Sequence, residues 1–186
     1  MKKHGARIVT VVDYDPAWPT QFEELRSRIL LAVGSVAMSV EHVGSTSVPG
    51  LAAKPIIDID VVVASAVDVT LAIGRLATLG YAHLGNLGIE GREAFASPSG
   101  LPTHHLYVCL RGSTALQNHL AIREYLRRHS DAASTYGMLK KRLAEHFPTN
   151  VDKYTEGKTD FLLRVLREAG FPDSVLTSIS DANRVE

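Results

Sequence analysis

EHVGSTSVPGLAAKPIIDIDVVV, residues 41–63, decides how this chain is read. Ile56 to Val63 is a continuous β-branched run around two aspartates, which predicts a buried strand. Asp58 and Asp60 stand two apart, so on a strand both side chains leave from one face. Two carboxylates inside an apolar run are costly unless something compensates them. A hard divalent cation does so, because carboxylate oxygens suit Mg²⁺ and substrate phosphates fill its other positions. Lys54 is a second candidate for neutralising them, and a purely structural ion-pair network is the bland alternative. Upstream, Val36 to Val43 reads as a strand and residues 44–54 as a loop rich in Gly, Ser and Pro. Gly44 permits close backbone approach, and successive backbone N–H groups with the Ser45 and Thr46 hydroxyls can bind phosphate oxygens. Taken alone, a Gly-Ser turn is usually only a turn. The loop is not a P-loop, since Gly44 to Gly50 spans one residue too many and Leu51 stands where lysine belongs.

Outward from this stretch, Asp15-Pro16 is a helix-start signal, with an N-cap candidate followed by proline. Phe22, Leu25, Ile29 and Val33 repeat at three and four, so residues 16–33 read as a helix that Gly34 stops. Ile8 to Val12 is a short strand or an extended arm. Val67 to Leu79 reads as a helix ended by Gly80, and residues 81–92 are glycine-rich, in keeping with a hairpin. Glu93 to Ala96 and His104 to Leu110 read as two more strands, joined by Ser97-Pro98-Ser99-Gly100. Beyond Ser113 the pattern turns helical, over Ser113–Arg128, Ala132–Phe147 and Val151–Ala169. Residues 172–186 are polar and aperiodic and read as a loose tail. Strands and helices come first and a helical block second, which is an α+β arrangement and not an alternating doubly wound sheet. The expected organisation is a mixed-sheet core over 1–112, a three-helix C-terminal part over 113–170 packed on it, and a flexible tail over 171–186.

Composition narrows the function. The chain has 186 residues, 45% of them hydrophobic and 22% charged, which suits an ordinary globular domain with a helical appendage. The formal net charge of zero gives no strong pull on nucleic acid or an anionic membrane, so a nucleic-acid partner is not expected. The single cysteine, Cys109, allows no intramolecular disulfide, and a reducing cytoplasm is the natural reading. No segment approaches the ~18 apolar residues of a membrane span. The start, MKKHGARIVTVV, is basic, but its apolar run ends at Asp13, too soon for a signal peptide.

Val43-Gly44-Ser45, followed after twelve residues by Asp58-Ile59-Asp60-Val61, resembles the signature of the polymerase-β-like nucleotidyltransferase superfamily. The whole stretch from Glu41 to Val63 is similar to the GrpB family within it. The likeness continues in THHLYV (103–108), REYLRRH (123–129), YGMLKKRLA (136–144) and YTEGKTDFLLRVL (154–166), so it covers roughly residues 8–168. The resemblance implies a nucleotidyltransferase-like fold in which Gly44 and Ser45 contact the triphosphate and Asp58 and Asp60 hold Mg²⁺ (or Mn²⁺). A third carboxylate on a later strand is usual in the superfamily. The matching strand, His104 to Leu110, has none; His105 and Tyr107 share one face there. His105 is a candidate base because an imidazole titrates near neutrality, and a hydrogen-bonded structural histidine is the alternative.

The helical block adds polar groups at matching spacing. Tyr136 and Lys140 share a helix face, as do Tyr154 and Lys158. Arg123 opens a basic segment with Arg127 and Arg128. A tyrosine can stack on a base while a nearby cation meets phosphate. Arg127, Arg128 and Lys141 read instead as solvated surface charge, and His42 is open between the site and the core. The expected nucleotide-binding set is therefore Gly44, Ser45, Thr46, Lys54, Arg123, Tyr136, Lys140, Tyr154 and Lys158, with His105, Asp58 and Asp60 at the chemistry. The implied activity is transfer of NMP from an NTP to an unspecified acceptor. The alternative is a noncatalytic nucleotide-binding or accessory module that keeps the fold.

Overall fold

The computed structural model describes residues 8–182. The basic start over residues 1–7 and the last tail residues, 183–186, lie outside it. Ile8 to Val12 forms an extended arm, not a full strand. Val12 makes an isolated antiparallel bridge to Ala53, and the Val9 N–H donates to Pro148 C=O at 2.8 Å.

Helix α1 runs from Trp18 to Val33 and buries Trp18, Phe22, Leu25, Ile29 and Val33. Asp15 is not its N-cap. The residue before the helix is Ala17, and the Asp15 carboxylate accepts from Ala17 N–H at 2.8 Å one turn earlier. Five strands follow: β1 (Ala37–Val43), β2 (Ile57–Val63), β3 (Ala82–Gly85), β4 (Arg92–Ala96) and β5 (His104–Leu110). They form one sheet in the order β1-β2-β5-β4-β3. Only the β2–β5 pair is parallel, and its crossover carries helix α2 (Ala66–Thr78) and the β3–β4 hairpin. Mixed sheet and flanking helices make an α+β fold, as the sequence predicts.

Alternation along β2 sorts its side chains. Ile57, Ile59, Val61 and Val63 join Leu106 and Val108 of β5 in a core closed by α1 and α2. Each fully buried aliphatic there contributes roughly 1.5–3 kcal/mol. Val62, on the opposite face with the aspartates, packs on Cys109 and on Leu116 of helix α3 (Thr114–Arg128). Burial and the Asp60 charge push the Cys109 thiol up, so it stays protonated. The helical block continues with α4 (Ser130–His146).

The third predicted helix, Val151–Ala169, is two helices, α5 (Val151–Glu156) and α6 (Thr159–Glu168). They part at Gly157-Lys158. A Cβ on Gly157 would come within 2.5 Å of a Leu143 methyl, so the α5–α6 corner packs closely on α4 and a larger residue there would have to displace the Leu143 side chain. The predicted loose tail also contains structure: Asp173–Ala182 forms α7, with Leu176 buried at 3% exposure. Among the described residues, no helix is long and apolar enough to cross a membrane.

Candidate active site

The site grows from the junction of β1 and β2. Gly44 follows β1 with φ +69° and ψ −173°, a region essentially restricted to glycine. A Cβ there would fall 2.1 Å from Asp58 Oδ2. Gly44 is thus required twice, by its own backbone and by the carboxylate lying against it. Ser45–Ser47 then form one 3₁₀ turn. The Ser47 and Val48 N–H groups bond back to Gly44 and Ser45 C=O, whereas the first N–H groups of such a turn have no acceptor within it. The Ser47 hydroxyl donates to Gly44 C=O at 2.6 Å, and Arg127 donates twice to Ser47 C=O, at 3.0 and 2.8 Å. Arg127 therefore anchors the turn; Arg128 is solvated, its side chain 74% exposed.

Thr46 is fully buried. Its hydroxyl donates to Ile56 C=O at 3.3 Å and lies 3.0 Å from His42 Nε2, so it is committed to the fold, and its backbone is what remains for a ligand. His42 stacks on Phe22 with ring centroids 4.5 Å apart. Burial holds its pKa down to about 4, which makes it a neutral structural residue.

Strand register places the chemistry in rows. Asp58 stands beside His105 and Asp60 beside Tyr107 across β2–β5, while Glu41 opposes Asp60 across β1–β2. His105 Nδ1 lies 2.8 Å from Asp58 Oδ1. Asp60 is fully buried; its Oδ2 lies 2.8 Å from Nδ1 of His119 on α3, and its Oδ1 has no hydrogen-bond partner. Burial works against a charged His119 ring, but the hydrogen bond to Asp60 and the Asp60 and Asp58 charges outweigh it, so its pKa is raised.

A cleft of about 270 Å³ opens in front of these rows. It is lined by Gly44, Ser45, Thr46 and Lys54 from the loop after β1, by Asp58 of β2, His105 of β5 and His119 of α3, and by Tyr136, Lys140, Tyr154 and Lys158 from the helical block. Lys140 Nζ sits 4.6 Å from the Tyr136 ring centroid, Lys158 Nζ 4.6 Å from that of Tyr154, and Lys54 Nζ 5.5 Å from the latter. Lys140 is only 2% exposed and its Nζ has no hydrogen-bond partner. Burial first, then the Lys158 charge, brings the Lys140 pKa down to about 7. Burial and the Lys54 charge bring Lys158 down to about 8. Lys54, Lys140 and Lys158 line one cavity, and the unpartnered Lys140 Nζ suits a negatively charged ligand there.

Two expected residues do not line the cleft. Asp60 lies beneath it, behind His119. Arg123 is turned away: Nη1 donates to Glu41 Oε2 at 2.9 Å and to His42 C=O at 3.0 Å, and Nε to Glu124 at 2.9 Å. Burial would raise the Glu41 pKa, but the bond and charge of Arg123 bring it down on balance. Arg123 thus clamps α3 to the edge strand. His119 is the residue that motif reading misses. Its signal was spacing, because His119, Ile122 and Leu126 line the same cleft at helical intervals.

The residues suit a divalent cation. Asp60 Oδ1 is an orphaned buried carboxylate oxygen, and Asp58 Oδ2 lies against Gly44. No group of three His, Cys, Asp or Glu side chains with metal-holding geometry occurs among the described residues, so phosphate oxygens of a substrate would have to complete the shell.

The GrpB protein family model matches residues 8–168. A UPF0157 protein of Bacillus subtilis, YqkA, is 36% identical over 156 residues, 84% of this chain and 46% of that protein; the chain thus spans about half that relative's length. The crystal structure of the conserved protein GrpB from Enterococcus faecalis is 38% identical, with a TM-score of 0.77 over 91% of this chain and 98% of that one. Cid1, whose structure is described in terms of RNA terminal uridylyl transferase activity, shares the fold at 15% identity and a TM-score of 0.56, over 80% of this chain and 47% of that one. The mixed five-stranded sheet with flanking helices is therefore an arrangement shared with nucleotidyltransferases, and the chain belongs to the GrpB protein family.

Proposed function

We propose that this protein is a Mg²⁺-dependent nucleotidyltransferase that moves NMP from an NTP to an acceptor. The observation that carries the reading is the abutment of Gly44 on Asp58 in a cleft that Lys54, Lys140 and Lys158 also line, with the orphaned Asp60 Oδ1 beneath it. Asp58 and Asp60 would hold the cation, which when bound neutralises phosphate charge and polarises the α-phosphate.

The chain's own residues do the rest. The N–H groups and hydroxyl at Gly44, Ser45 and Thr46 grip phosphate oxygens. Lys54, Lys140 and Lys158 meet the charge of the departing pyrophosphate, and Tyr136 and Tyr154 form the wall on which these ammonium groups lie. Arg123 holds the β1 edge and the Gly44 turn in place from behind. Asp58 accepts from His105 Nδ1–H, which leaves the Nε2 lone pair to take a proton. The acceptor oxygen attacks the α-phosphorus and a new P–O bond forms. The α–β phosphoanhydride bond breaks, pyrophosphate leaves with the electron pair, and the acceptor's proton passes to His105.

Incubation with α-labelled ATP, GTP, CTP or UTP, Mg²⁺ and a metabolite extract tests the reading. Label should move from NTP to product, and Asp58→Ala should abolish it; transfer unaffected by that substitution removes the aspartates from the mechanism. A second reading, a noncatalytic nucleotide-binding module, is favoured by β5, where His105 and Tyr107 occupy the row in which a third acid is usual. It predicts saturable NTP binding with no turnover on any acceptor.

A further inference from the structure

A second cavity, of about 610 Å³, lies between β4, the first half of α3 and α7. Nothing assigned so far uses it. Its volume falls within the range of small-molecule sites, roughly 300–1,000 Å³. His119 lines it and also lines the cleft in front of Asp58, so one residue is common to the two cavities.

Its polar groups are poised and unmatched. Arg92 lies over the Tyr107 ring at 4.4 Å, and its Nε is buried without a hydrogen-bond partner. Asn118 Oδ1 is likewise buried and unpartnered. An unmatched buried donor or acceptor costs about 1–3 kcal/mol, more for a charged group, so two such atoms on residues that line one cavity favour a ligand whose entry turns these side chains toward it. Glu90, Ser174 and Ser178 add polar groups to the lining. The loop wall is held in place by Gly91, at φ +72°, where a Cβ would come 2.7 Å from Ser113 Cβ. α7, the segment read from sequence as tail, contributes the opposite wall.

We infer that this cavity binds the acceptor, and that the acceptor is a small molecule carrying a carboxylate or phosphate beside a hydroxyl or amino group. The inference rests on the nucleotidyl-transfer reading above. Arg92 takes the anionic group, and Asn118 Oδ1 with Glu90 accepts from the hydroxyl or amine. The acceptor's nucleophilic oxygen or nitrogen reaches the α-phosphorus past His119, with pyrophosphate leaving as described. A polynucleotide is disfavoured because, among the described residues, Arg92 is the one permanent cation of the lining and Glu90 carries the opposite charge, whereas a nucleic-acid strand is tracked by several cations.

The test is calorimetric titration of the full chain with L-serine, glycerate, glucosamine 6-phosphate and a 12-nucleotide RNA. Each is run with and without a non-hydrolysable UTP analogue and Mg²⁺, and the analogue is also titrated alone. At least one small anion should bind, and Arg92→Met and Asn118→Leu should each weaken it by about tenfold or more. The analogue's own affinity should stay within about twofold, since neither residue lines the cleft. If Arg92→Met fails to fold, Asn118→Leu decides alone. Binding unchanged in the folded variants, no binding of any small anion, or binding of the RNA only would overturn the inference. Failure of the analogue to bind would instead remove the nucleotidyl reading, whereas its binding with no Arg92- or Asn118-dependent anion overturns the acceptor site alone.

Discussion

The two faces of β2 differ within seven residues. Ile57, Ile59, Val61 and Val63, each 1% exposed or less, close the core against α1 and α2. Asp58 and Asp60 leave from the other face, each bonded through one oxygen to a histidine. The difference teaches that stability and chemistry are interleaved at period two along one strand. Neighbouring substitutions should therefore report on separate properties.

The largest effect should come from the acid face. Asp60→Asn keeps the shape and an acceptor for His119 but removes the charge. It should lower NMP transfer by about a thousandfold, or about 4 kcal/mol of transition-state stabilisation. Its melting temperature should move by less than about 4 °C. One residue away, Ile59→Ala should cost about 2–5 kcal/mol of stability in urea unfolding, with turnover of the folded fraction unchanged. If both substitutions moved both readouts together, the separation of faces would be wrong.

Gly44→Ala sharpens the comparison because Gly44 touches the acid face through Asp58 alone. The backbone strain of about 1–3 kcal/mol should appear in unfolding, and displacement of Asp58 should appear as a loss of transfer of about tenfold or more. Asp58→Ala in the same background should leave little further activity to lose.

The lysine wall gives a pH dependence of smaller size. Lys140 titrates near about 7 in the fold, against 10.5 ordinarily. Below about 7 it is charged and ready for phosphate, so pyrophosphate affinity should fall, by about tenfold, as pH rises from about 6 to about 9. Lys140→Met should flatten that profile. For stability the sign is opposite. Between about 7 and 10.5 the unfolded chain holds a proton that the folded chain has released, so this group's contribution rises with pH across that window and its penalty is complete below it. Arg128→Ala, on the solvated surface, should change stability by no more than about 0.5 kcal/mol and transfer not at all.

Much of this was legible in the sequence, and the reasons are local. The period of β2 fixed which side Asp58 and Asp60 take, and helical spacing put Lys140 over Tyr136, whereas Lys158 meets Tyr154 across the α5–α6 break and not along one helix face. What escaped depends on contacts far along the chain. His119 meets Asp60 across 59 residues, and Arg123 is drawn from the cleft by Glu41 across 82. At the α5–α6 break Leu143 packs closely on Gly157, a contact across fourteen residues. α7 is polar enough to read as tail, yet Leu176 is buried.

The central claim is that Gly44, Ser45, Asp58 and Asp60 together hold a metal–nucleotide complex. Its most direct test is calorimetric titration with a non-hydrolysable UTP or ATP analogue, with Mg²⁺ and with EDTA, on the natural chain and on Asp60→Asn. The account predicts saturable binding that needs Mg²⁺ and is lost in Asp60→Asn. Binding of equal strength in EDTA or in Asp60→Asn, or no binding of either analogue, would contradict it.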